Sequence, residues 1–462
     1  MIEMQRTISS SIKFSGIGIH TGVVSNMTLK PSEEDTGVKF IRTDLKDKPI
    51  INAHIDFLFK TERSTSLKKK EAEIQTVEHI LAAITGLGID NIIIEVDNSE
   101  IPILDGSAKE FSNKIKEVGT REQKAKRIYF EIHKKISLYD KENGSEIVIY
   151  PSDKYEIEVK IDYNSKILGI QHAKLSSLSN FNKEIASSRT FCFLHELEHL
   201  LEKNLIKGGD INNAIIIVEN QISDKKLKLL KQKFKNPKIK VNNSGYLNNL
   251  DLRHENEPAR HKLLDVIGDL ALLGRPIKGK IKAFKPGHKN NTIFAKKLKE
   301  IMMDKVKKTA PQINFEEAPM YNKEKIKSIL PHRDPFLFID EIRDIGDDFI
   351  VGVKFVKTEE YYFKGHFPGE PVMPGVLQLE TMAQAGGVLI LNSVEKPEEY
   401  LTFFLKIDNA KFKRKVIPGD TIIFRLELIS PIRRGLCHMR GAGFVDGKIV
   451  VEAELLAQIS KK

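Results

Sequence analysis

Cysteine is almost missing: the chain of 462 residues has two, Cys192 and Cys437, far apart and in unlike contexts. That excludes a disulfide framework and points to a reducing cytoplasm. Long apolar runs are missing too. No stretch reaches the roughly 18–20 apolar residues of a membrane span, so no integral membrane segment is expected. The opening residues, MIEMQRTISS, lack a basic stretch followed by an apolar one, so no secretory signal is expected. What is present fits globular material. Hydrophobic residues are 40% and charged residues 30%, which excludes a fully disordered or collagen-like chain. At roughly 100–200 residues per domain, the length allows two to four domains.

The net charge is +11, from 74 basic and 63 acidic residues. Part of it is concentrated in Lys225, Lys226, Lys228, Lys231, Lys233, Lys235, Lys238 and Lys240. Such a run suits an anionic partner or a solvated surface. Phe234 is the one aromatic residue within it, too few for base stacking, so the solvated surface is the better reading and no nucleic acid partner is expected.

The first third reads as strands, a helix (IQTVEHILAAIT, ended by Gly86 and Gly88), a buried strand (NIIIEVD) and a helix (LDGSAKEFSNKIKEVG) with Asp105 or Ser107 as possible caps. The middle third repeats that order. RIYFEIHKKISLYD, SEIVIYP and YEIEVKIDY are strand-like, SRTFCFLHELEHLLEKN is helix-like, NAIIIVEN is a strand and EPARHKLLDVIGDLALLG is an amphipathic helix. The halves share an order of elements without convincing residue-level identity. Residues 301–320 are charged, carry two prolines and lack clear periodicity, so they read as a linker. Residues 321–462 hold one very apolar helix, PVMPGVLQLETMAQAGGVLILNS, and several strand-like runs, an α+β pattern.

Two patterns compete for a metal. His261 and Asp265 stack on one helical face, and Asp269 continues a polar line along an otherwise apolar helix. His79 follows Glu78 on the earlier helix. Two histidines and a carboxylate suit a tetrahedral zinc with one position open for water, whose proton a neighbouring carboxylate could take. On spacing alone, a surface histidine and a helical salt bridge explain the same residues at least as well. The rival is His195-Glu196-Leu197-Glu198-His199, which matches the H-E-x-x-H of zinc peptidases. Against it, Glu196, Glu198, Glu202 and Lys203 look like an ordinary solvated helix, and no third ligand follows.

The blocks GIGIHTG (16–22), TVEHILAAITGLGIDN (76–91), IPILDGSA (101–108), SRTF (188–191), RHKLLDVIGDL (260–270) and AFKPGH (283–288) occur in this order. Together, over residues 1–300, they resemble the UDP-3-O-acyl-N-acetylglucosamine deacetylases of lipid A biosynthesis. The resemblance implies one zinc per chain on His79, His261 and Asp265. It implies Glu78 as general base, His288 as acid or electrostatic partner, and Asp269 as the residue that orients His288. Thr190 and Phe191 would help hold the oxyanion and the sugar, and Lys262 would contact the substrate diphosphate. The peptidase built on His195, Glu196 and His199 remains as the alternative.

In the last unit His366 lies in the Gly/Pro-dense turn YYFKGHFPGEPVMPG, and Glu380 lies in the apolar helix. A helix-buried carboxyl and an imidazole are the acid–base pair that elimination of water needs. A solvated glutamate and an inert loop histidine would read the same way on their own. LPHRDPFLFIDEI (330–342), GHFPGEPVMPGVLQLETMAQAGG (365–387) and KFKRKVIPGD (411–420) resemble the 3-hydroxyacyl-[acyl-carrier-protein] dehydratases, which are hot-dog folds. The resemblance implies catalysis by His366 and Glu380 across a dimer interface, with no cofactor. Gly375 would top the helix, where backbone N–H groups could polarise the thioester carbonyl. Lys411, Lys413, Arg414 and Lys415 could attract the acidic carrier protein. Asp334 departs from the HRYPFLL that such enzymes often carry.

The expected architecture is therefore α+β. Duplicated α/β sandwich units (1–126 and 127–300) are followed by a linker (301–320) and a hot-dog domain (321–462). The expected partners are a UDP-sugar lipid, acyl carrier protein and further copies of the chain, as a dimer or a trimer of dimers in the cytoplasm.

Overall fold

A computed structural model describes residues 3–196, 207–208, 213–220, 222–234, 237–241, 245–247, 251–307, 309–392, 394–429, 432 and 435–461. The chain divides into two compact units, Met1–Glu300 and Ile301–Lys462.

The first unit is built twice from one plan. Strands β1 (Ile12–Ile17), β2 (Val24–Pro31), β3 (Val38–Arg42) and β4 (Ile50–Asn52) precede helix α1 (Glu78–Gly86), strand β5 (Ile92–Val96) and helix α2 (Lys109–Val118). The sheet order is β1-β2-β5-β3-β4, with β5 parallel to β3 and the other pairs antiparallel. The second half repeats this with β6 (Ile136–Asp140), β7 (Ser145–Tyr150), β8 (Tyr155–Asp162) and β9 (Ile170–Leu175). The small parallel pair β10 (Phe191–Phe193) and β11 (Ile215–Ile217) comes next, then helix α3 (Glu257–Ala271), strand β12 (Ile277–Phe284) and helix α4 (His288–Lys307). Its sheet order is β6-β7-β12-β8-β9, again with a parallel pair at the centre, β12 on β8, and the short strand Phe130–Glu131 also pairs parallel with β12. The repeat is one of topology. Alternating burial, as in Tyr155–Asp162, fixes which face each strand presents, and many residue choices satisfy it.

Helices α1 and α3 pack on each other at the centre of this unit. Gly268 makes the approach possible: a Cβ there would lie 2.1 Å from the Glu78 carbonyl oxygen. Almost every residue of α1 is buried, including Glu78 and His79, as are His261, Asp265 and Asp269 of α3. Burying an ionised group costs several kcal/mol unless it is paired, so this polar cluster is too expensive to be incidental packing.

Three local expectations change. Helix α1 begins at Glu78, because Ala72–Ile74 is a strand and Thr76 turns the chain with φ +59°. The SRTF stretch is extended at Phe191–Phe193, where aromatic rings pack on Tyr163 at 5.7 Å and the backbone pairs with Ile215–Ile217. Asp105 does not cap α2. It accepts from Ser107, whose Oγ in turn accepts from the Lys109 N–H.

The second unit is one six-stranded antiparallel sheet and a long helix. Its elements are α5 (Lys323–Ile329), β13 (Glu341–Ile345), β14 (Phe349–Phe355), α6 (Gly375–Leu391), β15 (Tyr400–Phe412), β16 (Thr421–Leu428), β17 (Leu436–Val445) and β18 (Lys448–Lys461). The order is β13-β14-β16-β17-β18-β15. The sheet closes on α6 around Met382, Ala385 and Val388, which meet Phe424, Leu426 and Met439, the hot-dog arrangement. Strand β15 ends the sheet and leaves Phe403, Phe404, Leu405, Ile407 and Phe412 exposed.

The stretch read as a linker is more ordered than its composition suggests. Helix α4 runs through Lys307, since no proline interrupts it before Pro311. Ala310 then packs on Ala442 and Phe444 of the second unit, and Arg343 donates to the Glu317 carbonyl at 2.7 Å.

Candidate active sites

The packing of α1 against α3 opens a cavity of about 660 Å³ lined by Glu78, His79, Thr190, Phe191, His261, Lys262, Asp265 and His288, among others. Among the described residues, His79, His261 and Asp265 form one metal-type cluster, with ligand atoms within 4.8 Å of one another. His261 Nε2 lies 3.4 Å, and His79 Nε2 3.9 Å, from Asp265 Oδ1. His261 Nδ1–H donates to the Ser188 carbonyl at 3.1 Å, so its Nε2 presents a lone pair to the cluster. Burial, reinforced by the neighbouring His261, pushes the His79 imidazole down to about 3 and keeps it neutral. Burial pushes Asp265 up, but His261 and Lys262 outweigh it and hold the carboxyl well below the usual range.

Asp265 Oδ1 is buried with no hydrogen-bond partner, while Oδ2 accepts from Lys262 Nζ at 2.9 Å. An unsatisfied buried acceptor costs about 1–3 kcal/mol, and more when charged. A divalent cation held by His79, His261 and Asp265 would remove that cost, and their nitrogen and oxygen donors suit zinc. The residues therefore fit a metal.

Two titratable groups flank the cluster. Glu78 Oε2 accepts from the Thr65 N–H at 3.0 Å, and burial pushes its carboxyl up to about 7. His288 Nε2 lies 3.9 Å from Glu78 Oε1. Its Nδ1 donates to Asp269 Oδ2 at 2.9 Å. Burial alone would lower this imidazole, but Asp269 and Asp265 outweigh it and bring it up to about 9. Asp269 is held in turn by Thr65 Oγ1 at 2.5 Å and Asn291 Nδ2 at 2.8 Å. Phe191 and Lys262 share one wall, with Nζ 5.6 Å from the ring centroid. Thr190 N donates to the Gly106 carbonyl at 2.8 Å, an approach that needs glycine, because a Cβ at Gly106 (φ +79°) would sit 1.8 Å from the Asn213 carbonyl oxygen.

The second unit separates its two candidates. His366 Nδ1 donates to the Val372 carbonyl at 2.8 Å, which leaves Nε2 free as a base. Glu380 lines another cavity, of about 250 Å³, whose walls include Leu330, His332, Phe336, Ile390, Cys437 and Met439 but not His366. Glu380 Oε1 accepts from Gln384 Nε2 at 3.0 Å and lies 3.5 Å from His332 Nε2. Among the described residues no ion pair joins His366 to Glu380 within the chain. Gly375 is the first residue of α6, and Phe412 packs over it. Lys411 and Lys413 pair with Glu452, and Lys415 lies 3.8 Å from Glu370. Asp334 lies 3.8 Å from Lys323 and 3.9 Å from Lys327.

Residues 5–239 and 225–300 match the family described as UDP-3-O-acyl N-acetylglycosamine deacetylase, LpxC, and residues 330–454 match the FabA-like domain. The chain is 47% identical over 459 residues to the bifunctional enzyme LpxC/FabZ of Porphyromonas gingivalis, with 99% of each covered. It is 46% identical over 458 residues to that of Bacteroides thetaiotaomicron, again with 99% of each covered. The chain belongs to the bifunctional LpxC/FabZ enzymes. Its first unit alone is 39% identical to the UDP-3-O-acyl-N-acetylglucosamine deacetylase of Syntrophus aciditrophicus, over 64% of this chain and 86% of that one.

Eight of the nine residues singled out for the LpxC-type unit thus line one cavity, and Asp269 stands behind them against His288. In the FabA-like unit His366 does not line the cavity that holds Glu380. The H-E-x-x-H alternative gains nothing. His195 has a 63% exposed side chain near Glu219, and Glu196 Oε2, which reaches the edge of the cavity, accepts from the Phe193 N–H at 3.2 Å. His199 lies outside the described residues. Sequence reasoning missed Thr65, Ser188, Asn291 and the buried Arg189–Glu257 pair, 2.9 Å apart, which fastens the SRTF segment to the start of α3. Arg189 lies inside a quoted block, so that signal was available. Thr65 carries no local signal. Among the described residues no helix is long and apolar enough to cross a membrane.

Proposed function

We propose that the LpxC-type unit removes the acetyl group of a UDP-3-O-(3-hydroxyacyl)-N-acetylglucosamine with one zinc ion per chain. We also propose that the FabA-like unit dehydrates (3R)-hydroxyacyl-[acyl-carrier-protein] to the trans-2-enoyl thioester without a cofactor. The observation that carries the first reading is the unpaired, buried Asp265 Oδ1 facing the Nε2 atoms of His79 and His261.

A zinc ion held by His79, His261 and Asp265 would supply Lewis acidity toward the amide carbonyl and toward water. Glu78, with a pKa near neutrality, takes the proton of the attacking water. Thr190 and Phe191 orient the carbonyl and the sugar, and Lys262 sets a positive charge toward the diphosphate. His288, whose Nδ1 is held by Asp269, gives its Nε2 proton to the departing amine, and the Asp269 carboxylate favours the protonated ring.

In the dehydratase, His366 Nε2 removes the α-proton, Glu380 protonates the leaving hydroxyl, and the N–H groups at Gly375 polarise the thioester carbonyl. The two side chains come from different chains of a dimer, alone or as a trimer of dimers. The exposed apolar edge strand β15 supports this, because an unpaired edge of that length invites pairing with a second copy. The end of β15, with Arg414 and Lys415, faces the carrier protein. Nucleotide-sugar and carrier-protein substrates, with two free cysteines, suit the cytoplasm.

Metal analysis with both assays on one sample tests the reading. The expected result is about one zinc per chain, with chelation abolishing deacetylation alone. Retention of the metal in His261→Ala, or loss of both activities in a chelated but folded chain, would contradict it.

A further inference from the structure

Gln384 of α6 is nearly fully buried, and every hydrogen-bonding position of its amide is used. Its Oε1 accepts from the Phe338 N–H at 2.8 Å and from the Ile339 N–H at 3.3 Å. Its Nε2 donates to the Phe336 carbonyl at 2.8 Å and to Glu380 Oε1 at 3.0 Å. Three of these partners are backbone groups of the segment that follows HRDP, and the fourth is the carboxyl proposed as the acid. The amide orientation follows from the network, since two N–H donors can meet only the oxygen and two acceptors only the nitrogen.

The arrangement does more than hold the core together. A helix side chain at i+4 lies directly over Glu380, so one amide fixes both the carboxyl and the loop that walls its cavity. A glutamate in an apolar helix has three rotatable bonds, and a proton donor must sit within about 0.5 Å of its productive position. Packing alone does not fix Oε1, because the Glu380 side chain remains 19% exposed; besides Gln384, Oε1 has His332 Nε2 at 3.5 Å.

We propose that Gln384 is a positioning residue of the dehydratase, orienting the Glu380 carboxyl and tying its placement to residues 336–339. The inference rests on Glu380 being the dehydratase acid. Gln384→Glu removes the donor side of the amide and spares the acceptor side. It keeps an acceptor for Phe338 and Ile339 but gives up the donor to Glu380 and to the Phe336 carbonyl, setting a like-charged or competing carboxyl beside Glu380. The Glu380→Gln background then isolates the part that runs through the carboxyl.

The test uses the full chain, with dehydration kcat and KM, thermal melting and the deacetylase rate as internal control. For Gln384→Glu, kcat should fall roughly 10²-fold, the scale of a small misplacement of a reacting group, with KM within about threefold. Deacetylation should be unchanged. In a Glu380→Gln background, Gln384→Glu should have no further effect, because its role runs through that carboxyl. Gln384→Met, similar in size but without hydrogen bonds, guards against a misfolded first variant. A folded Gln384→Glu with wild-type kcat overturns the proposal, as does an effect that persists in the Glu380→Gln background. Unfolding of both Gln384 variants also overturns it, by assigning the residue to stability alone. Full activity in Glu380→Gln would instead overturn the assignment of the acid itself.

Discussion

The LpxC-type unit draws its proposed base, acid and metal ligands from one chain and one cavity, whereas in the FabA-like unit the proposed histidine does not line the cavity of the proposed glutamate. The difference follows from the two folds. A duplicated fold contains its own partner surface: α1 of one half and α3 of the other bring Glu78, His79, His261 and Asp265 together as a domain core would. A single sheet wrapped on one helix has no second half. Its edge strand β15 leaves Phe403, Phe404 and Leu405 in solvent, and in the proposed dimer a second copy would do for this unit what the internal repeat does for the first. Where chemistry needs two polar surfaces to face each other, the first unit duplicates within the chain, and the second, as proposed, meets another copy.

The largest effect expected within this comparison is at the base. Glu78→Ala should lower deacetylation by about 10²–10⁴-fold and leave dehydration unchanged, as read by parallel assays on one preparation. A similar fall in both rates would mean that the sites are not independent.

A smaller loss is expected one contact further out. Asp269→Asn removes the carboxylate that holds His288 Nδ1 but keeps a hydrogen-bonding side chain in its place. Deacetylation kcat should fall about 10–100-fold, the usual worth of a residue that orients a working group. A wild-type kcat would show that His288 needs no orientation.

These two residues also mark how far the chain could be read before its structure. The polar line His261, Asp265 and Asp269 stood out because burial disfavours charge, and α3 is indeed buried along it. The order of elements in the two halves disclosed the duplication, although strand alternation leaves too few identities to prove it. Spacing alone could not choose between the His79/His261/Asp265 cluster and H-E-x-x-H, because the decisive contacts are long-range. Thr65 and Asp269 are 204 positions apart, and no periodicity joins them. Phe191–Phe193 was misread as helical because its strand partner, Ile215–Ile217, lies beyond any local window. The expectation that His366 and Glu380 work from different chains rests on family resemblance, since sequence does not record which chain supplies a side chain.

The smallest expected effect is at the rejected motif. His195→Ala with His199→Ala should keep about one zinc per chain and most of the deacetylase activity. Loss of the metal in that variant would move the metal site to H-E-x-x-H.

Subunit mixing tests the contrast most directly. His366→Ala and Glu380→Ala chains, each inactive in dehydration, are co-expressed, and Glu78→Ala and His288→Ala chains are mixed in the same way. Random pairing makes half of the dehydratase dimers mixed, each with one intact site of two, so dehydration should return to about a quarter of the wild-type rate. Deacetylation should not return, because each of its sites lies within one chain. Mixed dehydratase dimers that form but stay inactive, or deacetylase chains that complement each other, would contradict the account.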